Sequence, residues 1–315
     1  MGHRPCAPVV LLGYRRPGMT AKVFAAIRDA KPRVLLLVMD GPRPGDDHDA
    51  HQVSLTREAV ATVDWDADVH RIYADTNMGL KVRVSTGLDE VFSLVDDAII
   101  LEDDCFPDAS FFPYATDLLE RYRADPEVGM IAGSSRLRGH SVSRYSYDFS
   151  GDVRIWGWAT WARTWRTFAD SGDLEKRWSA LEARAMSKKF PRGARRSAMR
   201  KMLTTADQLN SWALPFVVHC VGKGYANPVP MVNLVENMGL GPSSTHTKFE
   251  SYVARVPGED IRLPLSHPPQ VQVNSDLDRR ESRSDSVELF RYPLRHPVDT
   301  MLRLYRYARL LRGKL

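Results

Sequence analysis

Three adjacent carboxylates, Glu102, Asp103 and Asp104, follow directly on the apolar run AIIL at 98–101. Fixed at the end of a buried strand, such groups repel one another by about 3 kcal/mol per pair at ~5 Å in a medium of effective dielectric near ~20. A positive partner must offset this. Asp40 closes another almost continuously apolar run, RVLLLVM at 33–39. In open α/β sheets ligands bind beyond the C-terminal ends of the strands, so the two acidic positions could face one crevice. A hard divalent cation held by one or two carboxylates and completed by phosphate oxygens is the chemistry such a crevice suits. The plain alternative is a solvated acidic turn that leads into the next helix.

The elements that would position these groups alternate between strand and helix. Residues 9–12, 33–39, 68–73 and 98–101 read as strands, the second fully buried and ending at Asp40-Gly41. Between them, 19–30, 52–61 and 79–93 have helical spacing of apolar residues, with Thr20 a candidate cap for the first and PRPGDDHD (42–49) a loop before the second. Residues 111–124 read as a further helix and 128–132 as a further buried strand. The expected fold class is α/β, a mainly parallel sheet flanked by helices. Three parts are expected: 1–132 as a nucleotide-sugar-binding half, 133–265 as an acceptor-binding half of the same domain, and 266–315, rich in Pro, Ser and charge, as a tail. From Arg154 onward tryptophans crowd together at 156, 158, 161, 165 and 178, a density suited to a substrate-lined wall or to core packing.

Several of these stretches taken together resemble a known family. GYRRP after the first strand, MDGPR after the second, DTNMGLKVRVSTGL before the fourth, ILEDDCFPDASFF, VRIWGWATWARTW and NPVPMVNLVENMGLGPSSTHT are similar, over about residues 7 to 248, to GT-A glycosyltransferases. The likeness is to bacterial family-2-like sugar transferases and, distantly, to N-acetylglucosaminyltransferases with an acidic EDD triplet. The resemblance implies a Rossmann-like GT-A fold and a Mn2+ or Mg2+ cofactor. The reaction it implies is transfer of a sugar from a UDP-, GDP- or dTDP-linked donor to a hydroxyl of a glycan or lipid-linked acceptor, with inversion, in cell-envelope polysaccharide synthesis. Asp104 would hold the metal, Asp103 the ribose hydroxyls, and Glu102 the nucleotide or donor sugar. Asp40 would read the base or ribose, Tyr14 and Arg15 would line the base pocket, and Asn77, Gly79 and Lys81 would border the pyrophosphate. His246 would complete the metal shell or donate to phosphate; Trp156, Gly157 and Trp158 would wall the donor sugar or acceptor. Where the related sequences place an acid before a tryptophan this chain has Asn210, which cannot serve as a base, and Asp207, one helical turn earlier, is the substitute.

Charge and composition narrow the alternatives. The net charge of +5 is modest, but residues 183–206 carry eight basic residues and no acid, a solvated face or a site for diphosphate or lipid phosphate. No nucleic-acid reader motif accompanies them. Arg303, Arg306, Arg309 and Arg312 lie on a basic amphipathic pattern suited to an anionic lipid surface or to packing on the catalytic domain. No run approaches the ~20 apolar residues of a membrane span, and Cys6, Cys105 and Cys220 show no CxxC spacing. A cytoplasmic protein is expected, either soluble or peripheral at the inner face of the plasma membrane. Two other functions stay open: a non-catalytic membrane-associated nucleotide-sugar-binding protein, and a sugar nucleotidylyltransferase, for whose glycine-rich loop GYRRPGMT is a poor match.

Overall fold

The computed structural model describes residues 5–169, 212–239 and 256–281, with residues 283, 294, 297 and 301 beyond them. Among the described residues the centre is a six-stranded sheet. Its strands are β1 (Val9–Gly13), β2 (Val34–Met39), β3 (Asp68–Tyr73), β4 (Asp97–Glu102), β6 (Met130–Ala132) and β8 (Trp158–Trp161), in the spatial order β3-β2-β1-β4-β8-β6. The first four pair in parallel, whereas β8 runs antiparallel to both β4 and β6. Two antiparallel ribbons lie beside the sheet, β5 (Cys105–Pro107) with β10 (Val235–Asn237) and β7 (Tyr147–Ser150) with β9 (Asn227–Pro230).

Both faces of the sheet are covered, which is why its strands read as runs of Val, Leu and Ile rather than as alternations. Helix α1 (Pro17–Ala30) buries Val23, Phe24 and Ile27 against the face carrying Val9, Leu11, Leu35 and Leu37, and α4 (Phe111–Arg121) covers the same face. On the opposite face α3 (Leu80–Leu94) packs Val84, Leu88, Val91 and Phe92 against Val10, Leu12, Leu36 and Val38. It is joined there by α5 (Ala162–Ala169) and α6 (Ala213–Lys223).

Three sequence expectations change. Helix α1 starts at Pro17 with Arg16 in the N-cap position, where Pro suits the first turn because its missing N–H is unneeded. Thr20 instead bonds back to the Arg16 carbonyl. Helix α2 (Asp47–Glu58) begins five residues before the expected start, because Asp46 caps the backbone N–H of Asp49 at 2.9 Å, so much of the acidic run is helix rather than loop. The stretch 256–281 includes the first part of the expected tail, yet it is clamped to the body. Ser266 pairs with Ser146, Asn274 with Asp148, Asp278 with Ser150, and Glu281 is buried in an ion pair with Arg154.

Tryptophan follows the core. Strand β8 lies between β4 and β6 with both faces covered, so its side chains are buried whichever way they point. Trp158 has no exposed surface and stacks on Trp212 with ring centroids 5.8 Å apart; Trp161 and Trp165 are 2% and 1% exposed. These indoles pack the interior and do not form a substrate wall. Trp156, at the margin of the strand, is only partly buried.

Candidate functional site

Strand order sets the location of the site. The chain steps outward from β1 to β2 to β3 and then returns to place β4 on the other side of β1. Although both strands lead on to helices of the same face, α1 and α4, the residues that leave the C-terminal ends of β1 and β4 lie side by side at the point where strand order reverses. Residues 14–16 leave the end of β1, and Glu102, Asp103 and Asp104 leave the end of β4.

The positive partner that the triplet needs is Arg16. Its Nε donates to Asp103 Oδ2 at 3.1 Å, an Nη donates to the other Asp103 oxygen, and the remaining Nη lies 2.9 Å from Asp104 Oδ2. The backbone amide of Tyr14 also donates to Asp103. Asp103 is thus enclosed, at 3% exposure, while Asp104 and Glu102 keep part of their surface. Burial, and then the neighbouring Asp104 and Asp103 charges, push the Glu102 carboxyl above the usual carboxylate range. Burial also raises Asp103, more than the Arg16 charge lowers it. One guanidinium does not fully neutralise three clustered acids.

Gly239 presses on this group from the other side. Strand β10 pairs with β5, and Met238 N donates to the Asp104 carbonyl at 2.8 Å, which brings the Gly239 backbone against the Asp104 side chain. A β-carbon at position 239 would stand 2.0 Å from Asp104 Oδ2. The glycine is needed for this approach. Gly157, whose φ is +59° and whose added β-carbon would strike Val235, turns the chain into β8 beside the same ribbon.

Asp40 organises the neighbouring loop at the same edge of the sheet. Its buried carboxylate accepts from Gly41 N at 2.8 Å, Met78 N at 2.9 Å, Asn77 Nδ2 at 3.0 Å and Gly79 N at 3.2 Å. Asn77 and Gly79 therefore meet Asp40 directly, and Gly79 (φ +76°) starts α3. Lys81 stands exposed in the first turn of that helix, where an anion would also meet free backbone N–H groups. From below, Arg57 donates to the carbonyls of Asp40 and Ala74.

Tyr14 and Arg15 converge on a residue that sequence reasoning passed over. Asp49 of α2 is fully buried; it accepts from the Tyr14 hydroxyl, from Arg43 N at 2.9 Å and from Arg15 at 2.9 Å. The Arg15 and Arg43 guanidiniums lie 5.6 and 5.9 Å from the Tyr14 ring centre. Burial raises the Asp49 carboxyl, but the Tyr14 hydroxyl, the Arg43 amide and Arg15 outweigh it and hold it below the usual range. Asp49 and Arg16 were both hidden in charged stretches read as loop or pocket lining. The only available signal was that the acidic triplet required a cation nearby.

The structure therefore brings Asp103, Asp104 and Arg16 together, and separately gathers Asp40 with Asn77 and Gly79 and Asp49 with Tyr14 and Arg15. Trp158 is removed from any ligand contact by complete burial. Asp207, Asn210 and His246 lie outside the described residues, as do the basic run 183–206 and nearly all of the C-terminal basic pattern. As to a metal, no group of three or more His, Cys, Asp or Glu among the described residues is arranged so that it could hold the ion by itself. The donor set there is the two partly exposed carboxylates, Asp104 and Glu102, a fit to a cation that draws most of its shell from its ligand. Among the described residues no helix is long and apolar enough to cross a membrane.

No family model matches the chain, and no curated protein matches it. Among solved structures, a 4-diphosphocytidyl-2C-methyl-D-erythritol synthase from Anaerococcus prevotii aligns with a TM-score of 0.31 and 9% identity, over 65% of this chain and 86% of that one.

Proposed function

We propose that the chain is a GT-A-type glycosyltransferase that moves a sugar from a nucleoside-diphosphate donor to a hydroxyl group of a glycan or lipid-linked acceptor. The observation that carries this reading is the facing of Asp103 and Asp104, at the end of β4, with Arg16, at the end of β1, across the point where strand order reverses. An acidic pair and a guanidinium in one crevice can deal with both parts of a nucleotide diphosphate, its charge and its hydroxyl groups.

In such a reaction the bond from the anomeric carbon to the acceptor oxygen forms as the bond to the diphosphate oxygen breaks. The acceptor proton passes to a base, and negative charge collects on the departing diphosphate. Asp104 would hold a divalent cation, which supplies charge neutralisation to that leaving group. Arg16 and Lys81, with the amide groups at the start of α3, are the protein's own groups for the same charge. Tyr14, held over Asp49, gives the base a flat partner, and Asp40 keeps the 77–79 loop in place beside it. Trp156 and Gly157 stand at the sugar side. His246 as a metal or phosphate ligand is carried over from the resemblance, whereas Asp207 is the base chosen in place of Asn210 because it lies one helical turn earlier.

Thermal stability measured with UDP, GDP and dTDP, each with and without Mn2+, tests the reading, because a ligand that binds the native state raises its midpoint by mass action. One nucleotide should stabilise the protein only with metal, and Asp104→Asn should abolish that shift. A protein unmoved by every nucleotide under both conditions is not a nucleotide-sugar transferase.

A further inference from the structure

Arg16 occupies a position that the proposed function also requires for something else. All the polar nitrogens of its guanidinium are directed at the acidic pair: Nε and one Nη at Asp103, the other Nη at Asp104 Oδ2. The oxygen of Asp104 that receives Arg16 is the one against which Gly239 is packed, so it is bounded on two sides by the protein. The other oxygen, Oδ1, has the Cys105 sulfur at 3.7 Å. Among the described residues, the ion pairs of Asp103 and Asp104 are with Arg16, while Arg15, one residue earlier, is spent on Asp49. The base of Arg16 is fixed, as it is the N-cap of α1 ahead of Pro17, but its side chain remains 26% exposed.

We propose that Arg16 is the built-in counter-cation of the acidic triplet and competes with the divalent metal for Asp104, releasing it when a nucleotide diphosphate arrives. The inference rests on the transferase reading. A dication and a guanidinium sharing one carboxylate repel each other strongly in a partly desolvated crevice. A metal entering alone must therefore displace Arg16 into the crevice with no anion to receive it. A diphosphate supplies that anion, since the planar guanidinium fork matches phosphate oxygens as well as it matches a carboxylate. Metal and nucleotide then bind as a pair, each raising the affinity of the other by the same factor. Asp103, otherwise enclosed by Arg16 and the Tyr14 amide, becomes available to ribose hydroxyls in the same movement.

The test is direct titration of Mn2+, followed by the paramagnetic resonance of the free ion, on the full chain. Wild type, Arg16→Gln and Arg16→Lys are each titrated with Mn2+ alone and with Mn2+ in the presence of UDP, GDP or dTDP. Wild type should bind Mn2+ alone at least about tenfold more weakly than with its nucleotide. Arg16→Gln should bind Mn2+ alone at least about tenfold more tightly than wild type and lose most of the coupling. Arg16→Lys keeps the charge but not the fork, and should fall between the two; it carries the test if the glutamine variant does not fold. Free-metal affinity equal to or weaker than wild type in a folded variant overturns the proposal, and if nucleotide still binds with metal it does so without touching the transferase reading. Tighter Mn2+ binding by Arg16→Gln with no nucleotide bound by any form leaves Arg16 as the metal's competitor and removes the transferase reading instead.

Discussion

Replacing Asp40 with Asn changes one atom of a carboxylate on which a whole loop depends. Its Oδ1 accepts from Gly41 N and Met78 N, and Oδ2 accepts from Asn77 Nδ2 and Gly79 N, at 2.8 to 3.2 Å. An amide can accept only on its oxygen. Its nitrogen will turn toward Asn77, which can rotate its own amide to present an oxygen, at the cost of the bond from Asn77 Nδ2 to the Gly41 carbonyl. The Gly79 N–H is then left facing a donor, and the bonds from Gly41 and Met78 lose their charge assistance. Hydrogen bonds to charged groups contribute about 1.5–3 kcal/mol each and neutral ones about 1 kcal/mol, so the variant should lose about 2–4 kcal/mol. Hydrogen exchange read at Met78 and Gly79, together with urea unfolding, is the assay. A loss of about 2 kcal/mol appears as roughly 30-fold faster exchange at these amides if the loop opens locally, and as a lower urea midpoint if it does not. Asn77→Ala should cost less, about 1–2 kcal/mol, and the double variant should fall short of the sum because the two share a bond. Wild-type exchange at both amides with stability within about 0.5 kcal/mol would refute the view that Asp40 holds the loop.

Four other expectations follow from the same geometry. Glu281→Ala leaves the buried Arg154 without its main counter-charge and should cost about 3–5 kcal/mol, whereas pairing it with Arg154→Met should recover much of that loss, checked by chemical denaturation. Gly239→Ala drives a methyl group into Asp104, so it should destabilise by about 1–3 kcal/mol and weaken Mn2+ binding, read by the same titration as for Arg16; a silent substitution there means the ribbon lies further from the acid. Asp49 is held below the ordinary carboxylate value of 3.8, so its contribution is complete above that value and fades as pH falls through the lower folded-state pKa. Asp49→Asn should therefore narrow the gap between stability at neutral and at acid pH, measured by urea midpoints from pH 7 down to about 2. The thiols of Cys6, Cys105 and Cys220 are all pushed upward, above all by burial, so a thiol reagent at neutral pH should label them slowly in the native protein and quickly in denaturant.

Local patterns were enough to read the frame. Continuous apolar runs ending in Asp40 and in the triplet marked buried parallel strands, because a strand covered on both faces has no polar side to show. The alternation of such runs with helical spacing gave the α/β class and put both acidic positions at one edge of the sheet. The excess of negative charge at 102–104 also implied a cation, since unpaired carboxylates do not stay together in a partly buried place.

Which cation, and which partners, depended on pairings between residues far apart in the chain. Arg16 and Asp103 are separated by 87 positions, and they meet only because β4 returns to the side of β1 opposite β2. Asp49 reads as one more acid in a polar stretch until Asp46 starts α2 early and turns it inward onto Tyr14 and Arg15. The tryptophans show the same limit from the other direction. An indole suits a sugar-binding wall and a core equally well; the insertion of β8 between β4 and β6, with helices over it, buried Trp158 and Trp161, and the packing of α5 on Phe92 and Phe216 buried Trp165. Residue type fixes what a side chain can do; strand order decides what it meets.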